Sequence, residues 1–282
     1  MSERLVVAAD GVELFAQVYG EESGRVPVVC IPGLTRNSRD FARVATELAK
    51  DRQVVALDLR GRGRSGWDET GDSYRVDVYA SDVLTVLDAL GIMRACLFGE
   101  SLGGIVSMRI AALARARLAG VVMSDIGPDL DPAGVARIFS YAGKLPPVTS
   151  WDEAVAQSKF VGEGAAPGLS DDMWMEIARQ RYREDVDGRI VIDHDPKIVG
   201  GAGVPAQTAA DRWNDLDALR DIPTLVIRGA TSDVLARATV DEMRSRKPDL
   251  QSVEIEGRGH CPIAHEPDCL AAISAFVASL PG

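Results

Sequence analysis

Cysteine, histidine and aromatic residues are scarce in this chain, with four cysteines, three histidines and 5% aromatics in 282 residues. Four cysteines do not make a disulfide framework for a chain of this size. Cys30 and Cys96 lie inside apolar runs and are expected as small core residues. Cys261 and Cys269 are close in sequence, but nothing requires them to pair, and a reducing, cytoplasmic setting is the simplest account. Long apolar runs are missing as well, so neither a signal peptide at Met1–Val7 nor a membrane span is expected. Positive charge is in deficit, with 31 Lys and Arg against 42 Asp and Glu and a net charge of −11. A nucleic-acid surface needs clustered Lys and Arg, so a nucleic-acid partner is not expected.

What the chain does have is 46% hydrophobic residues, enough for a sizeable core. Leu5–Ala9 and Val12–Val18 flank Asp10-Gly11, a hairpin signal. Short apolar runs follow at Val26–Ile31, Gln53–Leu57, Ala95–Phe98, Gly120–Ser124, Thr224–Ile227 and Ser252–Ile255. They are apolar on both faces, as strands of a covered parallel sheet must be. Between them, Tyr79, Val83, Val86, Leu87 and Leu90 mark one helical face, and Leu270, Ile273, Phe276, Val277 and Leu280 another. Strand alternating with helix predicts an α/β fold with a mostly parallel, doubly wound sheet of about eight strands.

The alternation breaks at residues 127–219, which are expected to form a mostly helical cap inserted into a core made of residues 1–126 and 220–282. Helical patterns run over Val135–Ala142 and Asp171–Tyr182, and three of the four tryptophans fall in this segment. Phe139, Trp151, Trp174 and Trp213 are candidates to line an apolar pocket beneath the cap. The competing expectation for each is packing within the cap itself.

The stretch that carries chemistry is Gly99-Glu100-Ser101-Leu102-Gly103, where an apolar strand runs into Gly-x-Ser-x-Gly and a helical pattern starts at once. In that context the motif is a nucleophile elbow. The turn is so sharp that the residues two before and two after the serine must be small. Gly-x-Ser-x-Gly alone is weak among 27 glycines and is equally a turn with a serine N-cap. Further on, Ser232-Asp233 follows the strand Thr224–Ile227, and Gly259-His260 follows Ser252–Ile255. Ser101, Asp233 and His260 therefore each lie just past a strand's C-terminal end, the edge where open α/β sheets place their sites.

These stretches resemble those of the α/β-hydrolase-fold proteins. The resemblance runs over essentially the whole chain apart from the cap. It rests on Ile31-Pro32-Gly33-Leu34, Asp58-Leu59-Arg60-Gly61-Arg62-Gly63-Arg64-Ser65, the Ser101 elbow, Ser232-Asp233, and Gly259-His260-Cys261-Pro262 with Glu266-Pro267. It implies a serine hydrolase with Ser101 as nucleophile, His260 as general base and Asp233 as the acid that orients it. Asp125, at the end of the strand Gly120–Ser124, is the rival acid, because some relatives keep theirs at that position. The resemblance also implies an oxyanion hole made by the backbone N–H groups of Leu34 and Leu102. Pro32 stands where family members commonly carry histidine, which puts the bracing of that loop in question.

The expected substrate is a small-to-medium, partly hydrophobic ester or lactone, with no metal or organic cofactor and no membrane partner. A carbon–carbon bond hydrolase of a vinylogous diketone acid is the alternative. It would need a cationic clamp for the substrate carboxylate, for which Arg36, Arg179, Arg181 and Arg212 are candidates. A thioesterase or amidase, a perhydrolase, and a ligand-binding receptor with little turnover share the same constellation. Ser101 stands where dehalogenases and epoxide hydrolases carry aspartate, which disfavours both.

Several residues are expected to be bystanders. Gly61-Arg62-Gly63-Arg64-Ser65-Gly66 fits a dinucleotide fingerprint, but no helix opens behind it, so it reads as a structural loop. His194, in Asp193-His194-Asp195, has no further ligands at metal-binding spacing and reads as a solvated loop residue. His265 is expected at the surface or in a helix cap, and Cys261 as packing. Glu100, beside the nucleophile, either shifts local pKa values or hydrogen-bonds within the elbow.

Overall fold

A computed structural model describes residues 1–199 and 207–281. The chain opens with strands β1 (Ser2–Val7) and β2 (Glu13–Tyr19), which pair antiparallel around Asp10-Gly11. Strand β3 (Val28–Ile31), helix α1 (Ala42–Leu48), strand β4 (Val54–Leu57), helix α2 (Val76–Ala89), strand β5 (Ala95–Glu100), helix α3 (Leu102–Ala114) and strand β6 (Leu118–Ser124) follow. Helices α4 (Pro132–Tyr141), α5 (Trp151–Gly162) and α6 (Asp171–Arg181) come next, and then a small hairpin of β7 (Tyr182–Glu184) and β8 (Ile190–Ile192). Helix α7 (Ala209–Asp217), strand β9 (Thr224–Gly229), helix α8 (Arg237–Arg246), strand β10 (Gln251–Ile255) and helix α9 (Pro267–Ser279) complete the order.

Eight strands form one sheet in the order β1-β2-β4-β3-β5-β6-β9-β10. The first three are joined antiparallel and the rest are parallel. Strand period sorts the side chains onto two faces. Val29, Ile31, Leu97, Val121 and Met123 point to the face covered by α2, α3, α7 and α8. Their neighbours Val28, Cys30, Cys96, Phe98 and Val122 point to the face covered by α1 and α9. Burial on both faces explains why these strands read as unbroken apolar runs. All four cysteines are free, and Cys30, Cys96 and Cys269 are buried. No helix among the described residues is long and apolar enough to cross a membrane.

The segment between β6 and β9 divides in two. Helices α4, α5 and α6 and the hairpin stand at the C-terminal edge of the sheet. Helix α7, grouped with the cap in the sequence, instead packs on α3, and its Trp213 and Leu216 join the main core. A solvent-facing guanidinium, Arg246, lies 4.2 Å over the Trp213 ring. Helix α5 has only a weak apolar stripe, so its sequence carries little helical periodicity. It is started by Ser150, whose side chain accepts from Glu153 N–H.

The Gly61–Gly66 loop folds without a helix, as expected, and wraps Asp58. That buried carboxylate accepts from the N–H groups of Ser38 and Arg64, both at 2.7 Å. A Cβ on Gly63 would sit 2.1 Å from Asp58 Oδ2. The same loop docks the return from the hairpin: Gly63 N–H donates to Asp193 O at 3.0 Å and Asp195 N–H to Gly61 O at 2.8 Å. His194 is therefore buried between them, not solvated. Burial and the nearby Arg62, Arg181 and Arg36 push its pKa down to about 3. No metal-binding group of side chains occurs among the described residues.

The demand for small residues at the elbow is borne out by distances. A Cβ on Gly103 would lie 2.0 Å from Ile31 O, and one on Gly99 would lie 2.3 Å from the Gly103 carbonyl. Gly103→Ala is thus expected to cost at least the roughly 1–3 kcal/mol of an overpacked core. Gly164→Ala, where nothing lies within 4 Å, should stay within about 0.5 kcal/mol of wild type. Urea unfolding of the two variants beside wild type measures the difference.

Candidate active site

Ser101 sits between β5 and α3 with φ 49 and ψ −115, in the left-handed half of backbone space that a non-glycine residue enters at a cost. Its N–H donates to Ser124 O at 3.0 Å, and its carbonyl accepts from Gly104 N–H, so the strained turn is held from both sides. Its Oγ lies 2.9 Å from His260 Nε2. His260 Nδ1 lies 2.8 Å from Asp125 Oδ2. A carboxylate only accepts, so Nδ1 carries the hydrogen and Nε2 presents its lone pair to the serine hydroxyl.

The partner of His260 is thus Asp125 and not the expected Asp233. Asp125 follows β6, is completely buried, and also has positive φ, at 52. Its Oδ1 accepts from Gly229 N–H at 2.7 Å, and its Oδ2 accepts from Ser232 Oγ at 2.5 Å as well as from His260. Ser232 takes the inward position of the loop after β9, and its Oγ in turn accepts from Val234 and Leu235 N–H. The next side chain must then point elsewhere. Asp233 turns to α4, where Arg137 holds it by two contacts of 2.5 and 2.8 Å. That hydrogen bonding, with the guanidinium charge, keeps the Asp233 carboxyl below its ordinary range.

The loop after β3 lies against the elbow, since a Cβ on Gly33 would be 3.6 Å from Ser101 Cβ. Buried Arg62 answers the question of bracing raised by Pro32. It donates from Nε to Leu34 O at 2.6 Å while its Nη1 holds Arg60 O at 2.7 Å. Neither Leu34 nor Leu102 donates its backbone N–H to another described residue.

A cavity of about 160 Å³ opens over Ser101 and His260. Of the four aromatic candidates, Trp174 lines it and the other three do not. Trp151 instead hydrogen-bonds Glu184 and lies under Arg179, Trp213 is in the main core, and Phe139 is half-buried beside the wall. The apolar wall comes from Ile138 on α4 and from Met173, Trp174 and Ile177 on α6. His265, expected at the surface or in a helix cap, borders the cavity, and Cys261 lies with Sγ 3.6 Å from His260 Nδ1. Among the four arginines considered for a clamp, Arg36 and Arg181 border the cavity. Arg179 is stacked on Trp151, and Arg212 donates to Pro128 O and Gln207 O.

The alpha/beta hydrolase family model matches residues 28–272, and the chain belongs to that family. A 3-hydroxybutyrate-oligomer hydrolase of Cupriavidus necator is 32% identical over 92% of this chain and 90% of its own length. A 2-(acetamidomethylene)succinate hydrolase of Mesorhizobium japonicum is 28% identical over 91% and 90%. The crystal structure of an alpha/beta hydrolase from Novosphingobium aromaticivorans superposes with a TM-score of 0.92 at 35% identity, covering 98% of each chain. The chain is accordingly a hydrolase of the α/β class.

Glu100 borders the cavity without a hydrogen-bond partner among the described residues, and burial, with the nearby Asp40 charge, pushes its pKa up to about 8. In the unfolded chain the group titrates at the ordinary 4.5. Between those values the folded state keeps a proton that the unfolded state has lost, so stability falls as pH rises from 4.5 to about 8 and then levels. Glu100→Gln removes that titration. Its urea midpoint should match wild type near about pH 5, exceed it increasingly toward about pH 8, and keep a constant lead above that. A lead independent of pH would mean that Glu100 behaves as an ordinary solvated carboxylate.

Proposed function

We propose that this chain is a serine hydrolase that cleaves a short carboxylic ester or lactone through an acyl-serine intermediate. The observation that carries this is the unbroken hydrogen-bond relay from Ser101 Oγ through His260 to Asp125, opening on a cavity. In the proposed mechanism His260 Nε2 takes the proton as Ser101 Oγ attacks the substrate carbonyl carbon. The imidazolium that forms is stabilised by the Asp125 carboxylate. The Leu34 and Leu102 N–H groups, the second at the start of α3, receive the charge that develops on the carbonyl oxygen. His260 then returns the proton to the leaving alcohol, and water repeats the sequence to release the acid. An engineered cavity of about 150 Å³ holds a benzene-sized group, so the volume here favours a short acyl chain. Helices α4–α6 and the hairpin serve as the cap of this site. The Cupriavidus relative, named for hydrolysis of a hydroxyacid oligomer, supports an ester as the bond cut.

The alternative is cleavage of a carbon–carbon bond in a vinylogous diketone acid by the same serine. Two of its four clamp candidates, Arg36 and Arg181, border the cavity.

Wild type should hydrolyse p-nitrophenyl acetate and butyrate, Ser101→Ala should fall to background, and a fluorophosphonate should add once, on Ser101, by intact mass. An adduct without ester turnover would favour the carbon–carbon reading, and neither adduct nor turnover would overturn both.

The two carboxylates separate cleanly. Asp125→Asn should lower kcat by about 10⁴, as loss of the tautomer-fixing acid does in other triads. Asp233→Asn, which breaks a half-exposed ion pair, should stay within about tenfold of wild type. Steady-state kinetics on p-nitrophenyl butyrate measures both.

A further inference from the structure

The charges around the cavity do not balance. Its acids are Asp40, Glu100 and Glu176. Asp40 takes two contacts from Arg36 at 2.5 and 2.7 Å, and Glu176 is held by Arg43. Glu100, with its pKa near 8, is predominantly uncharged at neutral pH. Arg181 is the cation left over. It borders the cavity and has no ion-pair partner among the described residues, and residues 200–206 contain no acidic side chain. Burial and the neighbouring Arg36 push its pKa down only to about 10, so it stays charged.

Unused donors accompany that charge. Arg36 Nη1 and Arg181 Nε are both buried without a hydrogen-bond acceptor among the described residues. Buried donors are nearly always satisfied, and guanidinium groups pair best with planar anions that take two N–H bonds side by side. Two like charges are held near each other here, and Asp40, the carboxylate close to both, is paired with Arg36. Position adds a constraint. Arg181 ends α6, and the preceding Gln180 carbonyl is pinned by Asn37 and Arg39 from the core at 2.8 Å each. The guanidinium therefore projects from a fixed point on the cap side of the cavity, facing the same space as Ser101.

We propose that Arg181, assisted by Arg36, forms a carboxylate subsite, so that the preferred substrate is a short ester carrying a free carboxylate. The inference rests on the reading that Ser101 attacks a carbonyl in this cavity and adds the class of molecule that presents it. A one-charge substrate neutralises the excess cation, satisfies the two donors, and fits a volume that leaves only a short spacer between anion and scissile bond.

The test is a matched pair of ligands: the linear dimer ester of 3-hydroxybutyrate, and the same dimer with its carboxylate replaced by a carboxamide. Both are titrated calorimetrically into Ser101→Ala, which cannot turn them over. The acid should bind at least about tenfold more tightly than the carboxamide, the size of effect a charge-assisted pair gives. Adding Arg181→Gln should abolish that preference while leaving carboxamide affinity within about twofold. Arg181→Lys, which keeps the charge, should retain part of it, and should serve alone if the glutamine variant does not fold. Equal affinity for acid and carboxamide, no binding of the acid, or a preference that survives Arg181→Gln would overturn the subsite. Turnover of p-nitrophenyl butyrate by wild type reads the hydrolase itself, so the subsite can fail while the hydrolase stands, and the reverse.

Discussion

The buried carboxylate of Asp125 is where three otherwise separate segments are tied. It receives the N–H of Gly229 from the end of β9, the hydroxyl of Ser232 from the loop behind it, and the imidazole of His260 from the loop after β10. A buried carboxylate is tolerated only when its lone pairs are met, so each donor is held as firmly as the acid itself. Because β6, β9 and β10 are adjacent and parallel, their C-terminal ends lie at one edge, and the carboxylate closes that edge. The positive φ of Asp125 and of Ser101 shows two backbone strains concentrated in one small volume. Strain of this kind persists only where the surroundings over-determine the conformation, and the hydrogen bonds just named supply that.

Helices α4–α6 and the hairpin are joined to this edge by several polar contacts. Arg137 reaches Asp233, Asn37 and Arg39 hold the end of α6, and buried Asp193 pairs with Arg39. Arg62 bridges both parts, bracing Leu34 while its backbone pairs with His194. The cavity beneath these helices is lined by both apolar and charged side chains, and α6 supplies Met173, Trp174 and Ile177 as well as Glu176 and Arg181. An arrangement of that kind orients a small polar-ended molecule better than it holds a wholly apolar one.

Much of the frame was legible along the chain. The six apolar runs are all strands, and the double-sided burial of the five that are not at the sheet edge follows from helices on both faces. The elbow is legible because a close approach of α3 to β3 forbids a side chain at Gly103. Helix α5 was not legible, since its apolar stripe is weak and its start depends on one serine cap. His194 is buried although its polar neighbours in sequence suggest solvent. Asp193 and Asp195 are in fact buried by pairing with Arg39 and Tyr74. Trp213 lies near the pocket-lining segment in sequence, but α7 returns to the main core before β9 and takes it there.

The linear order of residues determined the sheet, the strained serine, the histidine at the last strand and the family, because these depend on local pattern and on steric limits that a few residues impose. The choice between Asp125 and Asp233 was made in three dimensions. Both follow strand ends, and only the inward turn of Ser232 and the pull of Arg137 send one carboxylate to the histidine and the other to α4. The charge of the cavity was decided in the same way. Whether an arginine is spent on a neighbour or left facing open space depends on contacts between segments far apart in the chain, and no local pattern encodes it.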